Sequence, residues 1–129
     1  MIWLALTTAV VKLAGVGGAC GVVLAATEKF HDAFAPDVPA DAARLAAAAQ
    51  TPVTDIAFSE PATEPAWKTI PSWFVYGDRD TAIPPKLHAF MAERAHPRAT
   101  SVVEGASHVV MISHSEAVAK VIEDAATAR

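Results

Sequence analysis

The apolar and polar positions divide the chain into three stretches of different character. Residues 1–27 are apolar and carry a single charge, Lys12. Residues 28–66 mix acidic residues with prolines, whereas residues 67–129 alternate apolar runs of strand length with stretches of helical spacing. We therefore expect an apolar N-terminal segment, then a region of short helices, and finally an α/β unit.

The middle stretch predicts short helices on short tethers and no sheet. Its clearest helix follows Pro39, where residues 42–50 are a run of strong helix formers. Thr51 ends this helix because a residue that precedes a proline avoids the α region. A second short helix is expected around residues 52–59.

The last stretch predicts the order strand, helix, strand, helix. Residues 72–76 form an apolar, aromatic run of strand length, and residues 100–103 form a second strand. Pro85 suits the first turn of a helix between them, and Ser115 suits the start of the final helix. Because this order places strands side by side with helices against them, we predict two parallel neighbours.

The apolar N-terminal run has three interpretations. A membrane-spanning helix over residues 2–26 has the required length, but Lys12 lies in its middle and glycines weaken it. A secretory signal lacks the basic residues expected before its apolar part. The third interpretation is strand and turn of a soluble core, or the non-native start of a truncated reading frame. We expect a cytoplasmic protein, with membrane association through residues 2–26 as the alternative.

Composition narrows the class of protein. The 129 residues carry a formal charge of −4, and 53% hydrophobic against 19% charged residues exclude a disordered chain. With only 10 lysines and arginines, the chain has no basic footprint for nucleic acid, so no nucleic-acid partner is expected. The single cysteine, Cys20, excludes an internal disulfide framework and a cysteine-based zinc site.

Ionisable loops follow both predicted strands. Asp80 lies in the loop after the first strand, and His108 lies in the loop after the second. Because sites in open α/β sheets lie beyond the carboxyl ends of the strands, we expect both side chains at one edge. A carboxylate that orients a histidine supplies two of the three members of a nucleophilic triad.

Other polar residues have structural interpretations. Asp78 is expected to stabilise its loop, because aspartate favours turns. The spacing of His108 and His114 is not a metal-ligand spacing on a helix face. We therefore expect no metal and no cofactor. Three further histidines are expected at the protein surface: His31, His88 and His96.

Residues 67–125 resemble the end of the α/β-hydrolase fold. The run Gly77-x-x-Asp80 followed by Ile83-Pro84 is similar to the family's acid loop, and Gly105-Ala106-Ser107-His108 is similar to its histidine loop. The resemblance makes Asp80 the triad acid and His108 the triad histidine, in the family's order. Within the family, residues 65–71 and 108–114 resemble small bacterial esterases near the hydroxynitrile lyase and alkaloid esterase group.

The resemblance implies a partial α/β-hydrolase fold. Residues 28–66 would be a helical cap that roofs the active site, and residues 67–129 would supply the last two βα units of the parallel sheet. The N-terminal half of the sheet would be missing. Val109 stands where hydroxynitrile lyases of this type carry a lysine. The resemblance therefore implies carboxylic ester hydrolysis, with a small-molecule ester as the substrate.

The family's nucleophile is not found in this sequence. None of its serines lies in a G-x-S-x-G run, which forms the turn that presents the nucleophile. We therefore expect a triad remnant that is inactive or incomplete alone, and self-association through an exposed sheet edge. The alternative is a membrane-tethered, non-catalytic protein whose hydrolase-like part serves binding.

Overall fold

The computed structural model describes residues 10–13 and 22–128. The chain forms two compact units, and the boundary between them lies between Thr63 and Glu64. Most of the predicted apolar segment, residues 1–27, lies outside the described residues. The described part of that segment contains two strands, and no helix in the described residues is long and apolar enough to cross a membrane.

The first unit combines a small antiparallel sheet with short helices. The strands follow the order β1-β2-β3, and both neighbouring pairs are antiparallel. The strands are β1 (Val10–Leu13), β2 (Val22–Ala25) and β3 (Val53–Thr54). The helices are a 3-10 turn (Thr27–Lys29), α1 (Phe30–Phe34), α2 (Ala40–Ala48) and α3 (Asp55–Ser59).

The helix predicted after Pro39 is confirmed as α2. Pro39 is its N-cap, and the buried residues Ala43 and Ala47 lie one turn apart on the same face. Beyond its C-terminal end, the Gln50 side chain binds backbone groups of both α2 and β2. Its amide nitrogen donates to the carbonyls of Ala47 (3.0 Å) and Ala25 (3.1 Å), and its oxygen accepts from the Ala25 N–H (2.9 Å). Gln50 therefore links α2 to β2.

The prediction that residues 28–66 contain no strand is wrong. Val53 and Thr54 form β3, which pairs antiparallel with Val23 and Val22 of β2. Pro52 disfavours helical backbone at the residue before it, and the β-branched side chains of Val53 and Thr54 favour extended backbone. The predicted second helix begins only after this strand, with Thr54 as its N-cap.

The second unit confirms the predicted order of strand, helix, strand and helix. Strands β4 and β5 pair in parallel, with Trp73 opposite Ala99 and Gly77 opposite Val103. An additional short helix precedes the final one. The elements are a 3-10 turn (Ala66–Lys68), β4 (Trp73–Gly77), α4 (Pro85–Ala95), β5 (Ala99–Val103), α5 (Val110–Ser113) and α6 (Ser115–Thr127).

Helix α4 connects the two parallel strands and is bounded by prolines at both ends. Pro85 occupies its first turn, where the missing proline N–H costs no hydrogen bond. His96 ends the helix in the left-handed conformation, with φ of 47°, directly before Pro97. The Arg98 N–H then donates to the Ser72 carbonyl (2.8 Å) and starts the pairing of β5 with β4.

Candidate functional site

The loops that follow β4 and β5 are hydrogen-bonded to each other. The Asp78 N–H donates to the Val103 carbonyl (3.1 Å), and the Arg79 N–H donates to the Ala106 carbonyl (3.0 Å). In return, the Asp78 carboxylate accepts the Gly105 N–H at 2.7 Å. The predicted loop-stabilising role of Asp78 is therefore confirmed, and the bond joins the acid loop to the histidine loop.

Two glycines allow these loops to approach closely. A Cβ atom on Gly77 would lie 2.1 Å from the Ala106 carbonyl oxygen and 2.7 Å from that of Ser107. Any larger residue would therefore push the two loops apart. Gly105 has a positive φ of 77°, which side chains other than glycine rarely tolerate. In the runs G-x-x-D and G-x-x-H, the glycines are therefore required sterically, and the aspartate and histidine supply the chemistry.

The Asp80 carboxylate lies at the centre of the site. Its side chain is only 2% exposed. One oxygen, Oδ1, accepts the backbone N–H groups of Ala82 (2.8 Å) and Ile83 (2.9 Å), which fixes the plane of the carboxylate. The other oxygen, Oδ2, lies 2.8 Å from a nitrogen of each of two histidines, His88 and His108.

His108 contacts Asp80 as the sequence predicted. Its Nδ1 lies 2.8 Å from Oδ2 of Asp80, although the two residues are 28 positions apart. The His108 side chain is 32% exposed, far more than its carboxylate partner. The preceding residue, Ser107, is buried, and its hydroxyl accepts the Val109 N–H at 3.4 Å. The loop therefore holds His108 at the edge of the site while one of its ring nitrogens faces Asp80.

His88 is the residue of this site that the sequence analysis missed. Its expected surface location is wrong, because its side chain is only 14% exposed. Its Nε2 lies 2.8 Å from Oδ2 of Asp80, and its ring stacks on Tyr76 with centroids 4.9 Å apart. A signal was present in the sequence: α4 directly follows the acid loop, so its first turn returns close to Asp80.

The other histidines lie elsewhere. His96 is exposed, as expected, at the end of α4. His31 is half-buried, and its Nε2 lies 3.0 Å from the Val38 carbonyl oxygen. His114 contacts the Ser113 hydroxyl through Nδ1 at 2.9 Å. Within the described residues, only His88 and His108 share a carboxylate.

The environment of Asp80 favours its ionised form. Burial raises the pKa of this carboxyl, but the Ile83 N–H and the imidazoles of His88 and His108 lower it by more. The net result is a pKa below the ordinary value of 3.8. Because an ionised carboxylate only accepts hydrogen bonds, the facing nitrogens of both histidines carry a hydrogen.

This arrangement has the chemistry of an acid–base pair. With a hydrogen on Nδ1 of His108, the other ring nitrogen, Nε2, is the one that can accept a proton. A neighbouring carboxylate then stabilises the imidazolium that forms. The two imidazoles and the carboxylate are also ligand types that suit a transition metal.

Comparison with known proteins supports the fold. The model of the alpha/beta hydrolase family matches residues 4–121. The crystal structure of polyneuridine aldehyde esterase is similar with a TM-score of 0.75 and 11% identity, over 91% of this chain and 48% of that one. A histidine-to-alanine mutant of that esterase gives a TM-score of 0.70 and 12% identity, over 89% and 47% of the two chains. No curated protein matches the chain.

These comparisons confirm the predicted partial α/β-hydrolase fold. The chain spans 48% and 47% of the lengths of the two esterase structures, which is less than the whole fold. At 11% and 12% identity the likeness concerns the fold alone.

Replacing Asp80 tests the electrostatics of the site. We expect Asp80→Asn to lower the free energy of unfolding by about 1–3 kcal/mol near neutral pH. The reason is that the NH₂ group of the asparagine would face N–H donors that now bind the carboxylate. The pKa of Asp80 in the folded protein lies below the ordinary value of 3.8. The ionised carboxylate therefore stabilises the folded protein fully above that ordinary value, and this contribution is lost as the pH falls through the folded pKa. The difference between wild type and variant should therefore shrink below pH 3.8 in urea unfolding followed by circular dichroism.

The matched control is Asp124→Asn. Asp124 pairs with Lys120 at 3.0 Å on an exposed face of α6, and its loss should change stability by at most about 0.5 kcal/mol. A difference between wild type and Asp80→Asn that stays constant down to acid pH would contradict this description of the site.

Proposed function

The chain belongs to the alpha/beta hydrolase family, and we propose that it carries the acid and the base of a carboxylic ester hydrolase. The observation that carries this proposal is the 2.8 Å contact between Nδ1 of His108 and Oδ2 of Asp80. Both side chains follow the carboxyl ends of two adjacent parallel strands, where sites in open α/β sheets lie. The likeness in fold to polyneuridine aldehyde esterase supports the choice of ester hydrolysis.

In this proposal Asp80 is the positioning residue and His108 is the general base. The carboxylate keeps the hydrogen of the neutral ring on Nδ1, which leaves Nε2 to take the proton of an attacking hydroxyl or water. As that oxygen adds to the ester carbonyl carbon, the imidazolium forms beside the ionised carboxylate. Nε2 then returns the proton to the departing alkoxide, and the acyl–oxygen bond breaks.

We further propose that this chain alone lacks the nucleophile of the reaction. Its 129 residues contain no G-x-S-x-G run. Loss of the serine costs a triad enzyme on the order of 10⁶-fold in rate. His108 with Asp80 would then act on water as a weak general base, so the chain would be nearly inactive or incomplete alone.

We propose that residues 28–66 act as a cap over the substrate. Support comes from the three short helices α1, α2 and α3, which these residues contain beside the two-residue strand β3 and which precede the α/β unit in the chain. The substrate class that fits is a small or medium carboxylic ester with an apolar acyl or alcohol part. The proposed partner is this small molecule and not a nucleic acid, in line with the formal charge of −4.

An assay on a chromogenic short-chain ester tests this function. We expect the purified chain to hydrolyse the ester several orders of magnitude more slowly than ordinary enzymes, whose median turnover is about 10 s⁻¹. This weak activity should fall to the buffer rate in His108→Ala, because the variant has no general base. The matched control, His96→Asn, removes an exposed histidine at a left-handed position that asparagine tolerates. It should leave the rate unchanged.

Two results would contradict the proposal in different ways. Turnover at ordinary enzyme rates that disappears in His108→Ala would show that the chain does contain a nucleophile. Hydrolysis that is the same in wild type and His108→Ala would remove the site from the reaction altogether.

We also propose that a second copy of the chain binds along the edge of the parallel sheet. Within the described residues β4 pairs only with β5, so each strand has one side without a strand neighbour. Unpaired strand edges favour pairing with another chain, and Val102 of β5 is 54% exposed.

Sedimentation velocity tests this association. We expect dimers or larger species whose fraction rises with protein concentration. Val102→Lys should shift the distribution toward monomer, because a lysine on an edge strand opposes pairing. A monomer at every concentration, with cooperative unfolding, would be the contrary result.

A further inference from the structure

We propose that Asp80, His88 and His108 bind one divalent transition-metal ion, with zinc as the probe. One ligand atom from each residue lies within 4.8 Å of those of the other two. The residues come from three successive parts of the second unit: the loop after β4, helix α4 and the loop after β5. The cluster therefore exists only in the folded unit.

The ligand types select the class of metal. Two imidazole nitrogens and one carboxylate oxygen suit zinc and its first-row neighbours, whereas calcium and magnesium prefer oxygen ligands throughout. Three protein ligands leave a fourth position for water, as in zinc sites that perform chemistry. The ionised Asp80 supplies a negative charge to partner the cation.

Two of the three distances between the ligand atoms are close to those that a metal requires. Each histidine nitrogen lies 2.8 Å from Oδ2 of Asp80. Zinc bonds of about 2.0–2.2 Å place tetrahedral ligand atoms about 3.3 Å apart, so each contact would widen by roughly 0.5 Å. The nitrogens of His88 and His108, which lie within 4.8 Å of each other, would also come to about 3.3 Å through rotation of the two side chains.

The proton balance of binding follows from the hydrogen bonds. The nitrogens that face Asp80 now carry hydrogens, and each must lose its hydrogen to bind the metal. A neutral ring keeps one hydrogen, which moves to the nitrogen on its other side, whereas a charged ring releases one proton to solvent. Nε2 of His88 and Nδ1 of His108 then point to the ion.

The surroundings hold the ligands in place. The amides of Ala82 and Ile83 bind Oδ1 of Asp80, which leaves Oδ2 as the ligand atom. Tyr76 stacks on the ring of His88 with an interplanar angle of 13°. Such outer contacts orient ligands and strengthen metal binding. The 32% exposure of the His108 side chain offers an entry path.

The metal site does not rest on the proposed ester hydrolysis. A metal on Nδ1 of His108 would take the place of the hydrogen bond to Asp80. Zinc binding and general-base action therefore exclude each other at the same histidine. Calorimetry measures zinc binding without any turnover, so failure of one proposal leaves the other open to its own test.

Isothermal titration of the full chain with zinc chloride tests the site. We expect one ion per chain, with an affinity that falls tenfold or more in His88→Gln. Glutamine keeps a donor for Asp80, so circular dichroism should show a folded variant. His96→Asn, which removes an exposed histidine outside the cluster, should bind zinc as wild type does. Cobalt(II) bound in place of zinc should show the visible absorption that is typical of a four-coordinate ion.

Three outcomes would overturn the proposal. They are no zinc binding by the wild type, wild-type affinity in His88→Gln, and an equal loss of affinity in His96→Asn. If His88→Gln fails to fold, His108→Gln takes its place, since the His108 side chain is less buried, at 32% exposed against 14% for His88. A folded His108→Gln variant that binds zinc with wild-type affinity would also overturn the proposal.

Discussion

A buried negative charge is stable only where hydrogen-bond donors surround it, and the second unit is arranged around such a charge at Asp80. Its carboxylate receives two backbone N–H groups of its own loop and one imidazole each from His88 and His108. An unpaired buried charge costs several kcal/mol, so the loop, helix α4 and the loop after β5 are held to one geometry. The Ile83 N–H and the two imidazoles keep the carboxylate ionised by lowering its pKa, and the contact with His108 orients the histidine that the proposed chemistry uses.

The backbone makes this convergence possible. Parallel pairing of β4 and β5 brings both carboxyl ends to one edge, and Asp78 ties the two loops together through the Gly105 N–H. Gly77 has no side chain, which lets the Ala106 carbonyl approach where a Cβ would clash. Residues 28 positions apart in the chain therefore meet at hydrogen-bond distance. The glycines and the charged side chains therefore act together to fix the geometry of the two loops.

The features that could be predicted from the sequence are those with local causes. The apolar run at residues 72–76 and the helix formers after Pro39 each determine an element, and the order of elements determines parallel pairing. The β3 strand could not be predicted, because two residues become a strand only through pairing with the distant β2. His88 was missed because a polar residue on a helix is expected to face solvent. Its position in the first turn of α4, directly after the acid loop, was the signal that placed it near Asp80.

The orientation of His108 by Asp80 is the central claim, and the tautomer of the ring tests it most directly. Long-range ¹H–¹⁵N NMR spectra identify which nitrogen of a neutral imidazole carries the hydrogen. The contact between Nδ1 and Oδ2 predicts the Nδ1–H tautomer for His108 in the wild type, and its loss in Asp80→Asn. An Nε2–H tautomer in the wild type, or an Nδ1–H tautomer that persists in Asp80→Asn, would contradict the claim.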